Sequence, residues 1–136
     1  AYAREARRHA GRRGRGGGGV LVAKGESLPL AQASQDIVST IFMFHELPPK
    51  VRCEVAAEFA RVLKPGAILV FMDSLQLGDV ESYDGLLERF PHGFHEPYYA
   101  SYIREDLTAL FARAGLEPVW NEPVFVSKLM VFRKPG

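Results

Sequence analysis

The sequence has 136 residues, of which 47% are apolar, and a formal net charge of only +1. This length predicts one domain with a hydrophobic core, and no apolar run approaches the roughly 18 residues that a membrane-spanning helix needs. The single cysteine, Cys53, excludes an internal disulfide framework, so we expect an intracellular location, organelles included.

Residues 1–19 differ in composition from the rest of the chain. They contain six Arg and one Glu, a charge of about +5, which leaves about −4 for the remainder. Glycine is frequent from Gly11 onward, and it is costly inside helices and strands. We therefore interpret residues 1–19 as an Arg/Gly-rich linker or helix remnant. RNA binding is the alternative, which the lack of Phe and Tyr among the glycines disfavours.

The next part of the chain alternates between strands and helices. Strands are predicted at 20–23 and 36–42, and a strand buried on both faces at 68–72. An amphipathic helix between the last two begins near Pro49 and ends at Pro65-Gly66. A strand, a helix and a strand in about forty residues form a βαβ unit. The outward face of the helix is predicted to carry Arg52, Glu54, Glu58 and Arg61.

The C-terminal half begins with a long excursion, residues 75–99, that lacks a clean hydrophobic period. Long loops in compact domains are often functional. The elements predicted in this half are a short helix at 80–89, a helix at 104–114, and strands at 117–121 and 124–133 separated by Glu122-Pro123. The fold class is therefore α/β.

Several stretches carry a family resemblance. The run from Asp36 to Leu47, the segment Glu58-Phe-Ala-Arg-Val-Leu-Lys-Pro-Gly66 and the strand Ile68 to Asp73 resemble class I S-adenosylmethionine-dependent methyltransferases. The likeness is strongest to the small-molecule branch that includes the ubiquinone and menaquinone C-methyltransferases. Glu26-Ser27-Leu28-Pro29 and the D-L-x-x-L-F-x-x-A-G-L run from Asp106 resemble further elements of this family.

The resemblance implies a Rossmann-like sheet with an antiparallel C-terminal strand. It also implies S-adenosylmethionine as cofactor and methyl transfer to a carbon or oxygen of a small-molecule acceptor. A nucleic-acid partner is not expected. Residues 20–136 would form the C-terminal part of the domain. The first strands and the glycine-rich loop of the family have no counterpart, so the sheet is expected to be incomplete at its N-terminal side. The alternative is an inactive half-domain that serves as a binding or scaffold module, and the open sheet would allow self-association.

Two candidate catalytic residues follow predicted strands. His45 is a candidate base or orienter of the acceptor, or it only hydrogen-bonds a loop carbonyl. Asp73 lies where ligands bind in open parallel sheets, and it either orients a substrate hydroxyl or caps the turn. By the family resemblance, the residues expected to contact the cofactor are Gly25, Glu26, Ser27, Thr40, Ile41 and Phe42.

The loop from Phe90 to Tyr99 combines aromatic side chains with two His and one Glu. It would wall a flat, apolar substrate, or its aromatics would only pin the loop to the sheet. We take His95 as a third catalytic candidate, and Glu96, Tyr98 and Tyr99 as candidate substrate contacts. No metal site is expected, because neither the His92 and His95 pair nor the Asp73 and Asp79 pair has a third ligand at a suitable spacing.

Overall fold

The computed structural model describes residues 19–136, which form a four-stranded sheet with strand order β1-β2-β4-β3. The linker predicted at 1–19 lies, apart from Gly19, outside the described residues. The strands are β1 (Gln35–Ile41), β2 (Leu63–Ser74), β3 (Glu117–Val124) and β4 (Ser127–Arg133), and the helices are α1 (Pro49–Val62), α2 (Asp84–Gly93), α3 (Tyr99–Tyr102) and α4 (Leu107–Arg113), with 3-10 turns at Phe44–Glu46 and Glu81–Tyr83.

The predicted βαβ unit is confirmed by the pairing of β1 with β2. The two strands are parallel, with Ile37 opposite Ile68, and α1 connects them. The helix begins at Pro49, since proline suits a first helical turn whose N–H has no partner. It ends at Val62, earlier than the predicted stop at Pro65-Gly66, because the next residue already pairs in the sheet.

Strand β2 lies at the centre of the sheet and carries much of the core. Leu69, Phe71 and Asp73 are fully buried on one face, as the alternation of side chains in a strand requires. The residues between them are only half-buried within the described part of the chain. The prediction of burial on both faces is therefore wrong for the second face.

The predicted antiparallel C-terminal strand is confirmed, but its turn lies elsewhere. β4 pairs antiparallel with both β2 and β3. The chain reverses at 125–126 rather than at Glu122-Pro123, which β3 includes. Because β3 is an edge strand, Pro118 and Pro123 can occupy it without removing a donor that the sheet needs.

The strand predicted at 20–23 is wrong. Leu21 and Val22 are 64% and 81% exposed and belong to no strand. A tight turn follows, in which the backbone N–H of Ser27 donates to the carbonyl of Lys24 at 3.1 Å. Within the described residues this apolar run of four residues pairs with no strand of the sheet, so a short apolar run alone did not specify a strand here.

Aromatic packing joins the sheet to the helices on its buried face. The rings of Phe44 and Phe71 lie 5.1 Å apart, those of Phe71 and Phe111 5.4 Å, and those of Phe111 and Phe132 4.5 Å. The two helices predicted near 80–89 and 104–114 are present as α2 and α4 with shifted ends. No helix in the described part is long and apolar enough to cross a membrane.

Candidate active site

The buried carboxylate of Asp73 organises the carboxyl end of β2. Its Oδ2 accepts a hydrogen bond from the backbone N–H of Phe44 at 2.8 Å, and its Oδ1 accepts from the backbone N–H of Ser74 at 2.7 Å. The same Oδ1 lies 2.5 Å from Nδ1 of His45. Asp73 therefore fixes the turn that follows β1, and with it the imidazole of His45.

The proton on His45 follows from this contact. A carboxylate only accepts hydrogen bonds, so Nδ1 of His45 donates to Asp73 and Nε2 is presented to a ligand. The hydrogen bond to Asp73 raises the pKa of His45 above 6.5 against the lowering effect of burial, and the negative charges of Asp73, Glu46 and Glu96 raise it further. His45 and Asp73 thus form a pair that can orient a ligand or accept its proton.

A cavity of about 500 Å³, here called the aromatic pocket, opens beside His45. Its walls are mostly apolar and aromatic, with a few polar groups, which is the usual character of a site for a small organic molecule. The lining residues are Phe42, His45, Ser74, Leu75, Tyr83, Leu86, Leu87, Phe90, Phe94, Glu96, Tyr99, Val126 and Ser127.

The polar groups of the aromatic pocket gather at one end. The Ser74 Oγ and the Tyr99 hydroxyl are 2.7 Å apart, and the Tyr99 ring lies 6.0 Å from the ring of His45. Burial raises the pKa of Tyr99, so its hydroxyl stays protonated. Glu96 adds a carboxylate whose Oε2 is buried and, in the part of the chain that the structure describes, has no hydrogen-bond partner. Such an orphaned buried atom is uncommon in proteins.

Phe42 joins the aromatic pocket to the end of β1. Its φ of 50° lies in the left-handed region, which is unfavourable for a bulky residue. Its N–H donates to the carbonyl of Met72 at 2.9 Å, and its ring is 49% exposed. Backbone strain of this kind is typical of binding and catalytic sites.

A second cavity, here called the β1 cavity, lies on the other side of the end of β1. Its volume is about 570 Å³. Three of the six residues predicted to contact the cofactor line it, namely Gly25, Thr40 and Ile41. A Cβ at Gly25 would meet the Val55 side chain at 3.2 Å, so a larger residue would crowd this wall. Of the other three, Glu26 and Ser27 lie in the adjacent turn, and Phe42 lines the aromatic pocket.

His45, Glu46 and Glu96 form a cluster that the sequence did not indicate. One donor atom from each lies within 4.8 Å of the others, a spacing compatible with a metal ion. Nε2 of His45 is 3.7 Å from Oε1 of Glu46. Residues 45 and 46 are adjacent, but Glu96 comes from a distant loop, so no ligand spacing was visible along the chain.

The remaining predicted site residues fall into two groups. His45 and Asp73 contact each other, and Glu96 and Tyr99 line the same pocket as His45. His95 and Tyr98 are exposed and are not among the pocket-lining residues. The carbonyl of Tyr98 instead accepts a hydrogen bond from Arg52 at 2.9 Å.

Arg52 is a correction to the predicted outward face of α1. Its side chain is completely buried. Its Nε donates to the carbonyl of Phe44 at 2.9 Å, and its Nη2 donates to the Ser101 hydroxyl at 3.0 Å. Nη1 lies 3.3 Å from Oε2 of Glu105. Arg52 precedes the buried Val55 by three residues, and this helical spacing was the signal that placed it on the inner face.

Arg61 and Glu58, also predicted to face outward, hold the loop that borders the β1 cavity. Glu58 accepts from the backbone N–H of Leu28 at 2.7 Å, and Arg61 donates to the carbonyl of Leu30 at 2.8 Å. The hydrogen bond from Arg61 lowers the pKa of Glu58. This pair belongs to the E-x-x-R part of the segment from Glu58 to Gly66, so that motif positions a loop here. Glu54 is exposed, as predicted.

Comparison with known proteins gives a consistent result. A family model described as a methyltransferase domain matches residues 1–71, just over half of the chain. The curated tRNA N(3)-cytidine methyltransferase METTL2 of Bos taurus is 29% identical over 111 residues. The match covers 74% of this chain but 28% of that protein, so the chain spans less than a third of this relative.

Solved structures share the fold. The PH0226 protein from Pyrococcus horikoshii OT3 superposes with a TM-score of 0.72 at 19% identity, over 97% of this chain and 66% of that chain. A SAM-dependent methyltransferase from Aquifex aeolicus superposes with a TM-score of 0.66 at 19% identity, over 97% of this chain and 63% of that chain. At such identities these structures establish the architecture alone.

Proposed function

The chain belongs to the methyltransferase domain family, whose model its residues 1–71 match, and from this premise we propose that it transfers a methyl group from S-adenosylmethionine to a small-molecule acceptor. One observation carries the proposal. Adjacent residues at the carboxyl end of β1 line the two cavities, since Ile41 lines the β1 cavity and the next residue, Phe42, lines the aromatic pocket. A cofactor in the first cavity would reach an acceptor in the second across this end of the strand.

The residues of the β1 cavity fit the cofactor. Its volume falls within the roughly 300–1,000 Å³ of small-molecule sites, and Gly25 contributes only backbone to its wall. Gly25, Thr40 and Ile41 would hold the nucleoside. When bound, S-adenosylmethionine supplies a methyl group that its sulfonium charge has already activated, so the protein mainly has to align the attacking atom.

The aromatic pocket suits a flat acceptor with one polar edge. Phe90 stacks on Phe94 with ring centroids 4.5 Å apart, and Phe90 also packs on Tyr99 at 4.8 Å. At the polar end, Nε2 of His45 would orient the reacting group of the acceptor or take its proton. Asp73 keeps the imidazole in the required tautomer.

The lining of the aromatic pocket favours a small molecule over RNA as the acceptor. The relative from Bos taurus is named for methylation of tRNA cytidine. Charge does not decide between the two acceptors, because the formal net charge of the chain is only +1. The aromatic pocket, however, is lined mainly by apolar side chains.

The first test is a calorimetric titration of the 136-residue chain with S-adenosylhomocysteine, the product of every such transfer. We expect saturable 1:1 binding. Methyl transfer is then measured with a panel of phenolic and other aromatic acceptors, and with tRNA as a separate arm. A folded chain that binds no product would contradict the proposal, and transfer to tRNA alone would replace its acceptor class.

Two variants test whether the aromatic pocket binds the acceptor and not the cofactor. Leu86 is 58% exposed and lines the aromatic pocket, so Leu86→Trp is expected to raise the KM for the acceptor without changing the affinity for S-adenosylhomocysteine. Val119 is 51% exposed on β3 and does not line the aromatic pocket. Val119→Trp is therefore the matched control, and it should change neither the KM for the acceptor nor the affinity for S-adenosylhomocysteine.

The second candidate function is a binding module without catalysis, and the surface of β1 favours it. Ile37 and Ile41 are 60% and 62% exposed on one face of this strand. Among residues 19–136, no turn with several glycines follows a strand. A chain that folds cooperatively, binds no S-adenosylhomocysteine and self-associates through β1 would support this second function instead.

A further inference from the structure

The cluster at the polar end of the aromatic pocket has the composition of a metal site. It offers one imidazole and two carboxylates, whose donor atoms lie within 4.8 Å of one another. Nδ1 of His45 is engaged by Asp73, so Nε2, which lies 3.7 Å from Oε1 of Glu46, is the nitrogen left for an ion. Magnesium and calcium prefer all-oxygen ligands, whereas zinc and manganese accept such a mixed set.

The spacing of the cluster also fits. Bonds of about 2.0–2.2 Å from zinc to its ligands place neighbouring donor atoms roughly 3.4 Å apart in a tetrahedral site. Nε2 of His45 and Oε1 of Glu46 are 3.7 Å apart. The Glu46 side chain is 57% exposed and is therefore free to move toward an ion.

Two further features support a cation at this position. Metal-bound histidines usually donate their second N–H to a carboxylate, which fixes the ring, and Asp73 accepts such a bond from His45. In addition, Oε2 of Glu96 is buried and, within the described residues, lacks a hydrogen-bond partner. A coordinated cation would satisfy this oxygen.

We propose that His45, Glu46 and Glu96 bind one divalent transition-metal ion, of which Zn²⁺ is the probe, with an open coordination position facing the aromatic pocket. The inference rests on the proposed function and narrows it, since an ion there would bind an acceptor through a hydroxyl oxygen. His45 would then serve as a ligand rather than as a free base.

The transfer that this site supports is an O-methylation. An ion held by these residues would lower the pKa of a coordinated hydroxyl, whose proton would leave to water. The resulting oxyanion attacks the methyl carbon of the cofactor, so that an O–C bond forms while the S–C bond breaks. The electron pair of that bond stays on sulfur, and the products are the methyl ether and neutral S-adenosylhomocysteine.

The test is a Zn²⁺ titration of the full chain by calorimetry, in a Cys53→Ser background because this exposed thiol would bind zinc on its own. We expect one ion per chain. Glu46→Gln and Glu96→Gln should each weaken the affinity at least about tenfold, and Asp73→Asn should weaken it by about 10–100-fold through loss of the supporting carboxylate. Exposed His92 supplies the matched control, and His92→Gln should leave the affinity unchanged.

The metal site and the proposed methyltransferase function are tested by independent measurements. Glu46 is exposed, so Glu46→Gln is expected to fold, and circular dichroism checks this. Absence of 1:1 binding, or binding unaffected by Glu46→Gln and Glu96→Gln, overturns the metal site. Titration with S-adenosylhomocysteine in the presence of a chelator reports on the methyltransferase function independently. Product binding that survives the chelator while zinc fails to bind would leave the first proposal intact and remove the second.

Discussion

At the scale of single residues, the buried side chain of Asp73 organises the candidate site through its hydrogen bonds. It accepts hydrogen bonds from two backbone N–H groups and from His45, all while fully buried. Because a buried carboxylate needs such donors, the turn after β1 and the end of β2 are stabilised together. The position of His45 is thus set by a residue 28 places further along the chain.

The charge state of His45 provides the first prediction. In metal-free protein, the NMR titration of its ring protons should have a midpoint above 6.5, because Asp73 favours the imidazolium form. Asp73→Asn should move the midpoint down. A midpoint at or below 6.5 in the unmodified chain would contradict the contact between these two side chains.

The same shift has a consequence for stability. Because the pKa of His45 is higher in the folded state than in the unfolded state, protonation of His45 stabilises the fold. This contribution to the free energy of unfolding is complete below pH 6.5 and is lost as pH rises through the folded-state pKa. The loss of stability caused by His45→Gln should therefore be larger at about pH 5.5 than at about pH 9. Urea unfolding of both chains at the two pH values measures the difference, and equal losses would count against it.

Arg52 leads to a second prediction. Its guanidinium donates to the carbonyls of Phe44 and Tyr98, so Arg52→Met leaves buried acceptors without a partner. We expect a loss of about 3 kcal/mol in the free energy of unfolding. Arg104 is the control, because its ion pair with Glu88 is about half-exposed on both sides. Arg104→Met should cost less than about 1 kcal/mol, and equal losses would contradict the special role of Arg52.

At the scale of elements, the β3–β4 hairpin contains an unfavourable turn residue. Phe125 has a φ of 58° and is 82% exposed, so a large apolar residue occupies a position that suits glycine or asparagine. The neighbouring Val126 lines the aromatic pocket. The turn is therefore built at some cost next to the site.

This cost can be measured. Phe125→Gly should raise the free energy of unfolding by about 0.5–1 kcal/mol, because it relieves the left-handed conformation. Val126→Gly, at the adjacent position with ordinary φ, should instead lower it. Thermal or urea unfolding of the two variants tests the pair, and a loss in both would mean that the Phe125 side chain makes stabilising contacts.

The elements also show what local patterns determine. The apolar stripe of α1 and the β-branched run of β1 were predictable, because their periods are set by helix and strand geometry. The hairpin turn was not, since Glu122-Pro123 carries a strong turn signal that an edge strand tolerates. The burial of Arg52 depends on carbonyls of Phe44 and Tyr98, which only the tertiary fold supplies.

The candidate site was likewise predictable only in part from local sequence patterns. His45 and Asp73 were identified separately, each from its place after a strand. Their contact, and the approach of Glu96 to His45, required the three-dimensional structure because the residues come from separate loops. Exposed His95 shows the converse, since a chemically suitable residue in the right segment lies outside the pocket wall.

At the scale of the whole molecule, the sheet is covered unevenly within residues 19–136. Alternate residues of β2 are fully buried on one face, whereas Ile37 and Ile41 of β1 are 60% and 62% exposed. An apolar strand at a sheet edge is a known cause of association between chains. We therefore expect the 136-residue chain to self-associate as its concentration rises.

Sedimentation velocity over a range of concentrations tests this expectation. Ile37→Lys should reduce association, because a charge on the exposed face of β1 opposes contact with a second copy. Val119→Lys places the same charge on the opposite edge strand, β3, and should have little effect. A monomer at all concentrations, or equal effects of the two substitutions, would contradict an association through β1.

The one-sided polarity of the aromatic pocket has a consequence for the product. His45, Glu96 and the Ser74–Tyr99 pair supply most of the polar groups of the pocket, and apart from the hydroxyls of Tyr83 and Ser127 the rest of the wall consists of aromatic and aliphatic groups. A substrate with two chemically similar hydroxyls could then enter with only one of them leading. The proposed methyl transfer should therefore yield a single regioisomer from a diphenol with two similar hydroxyls, which solution chemistry would methylate at both positions.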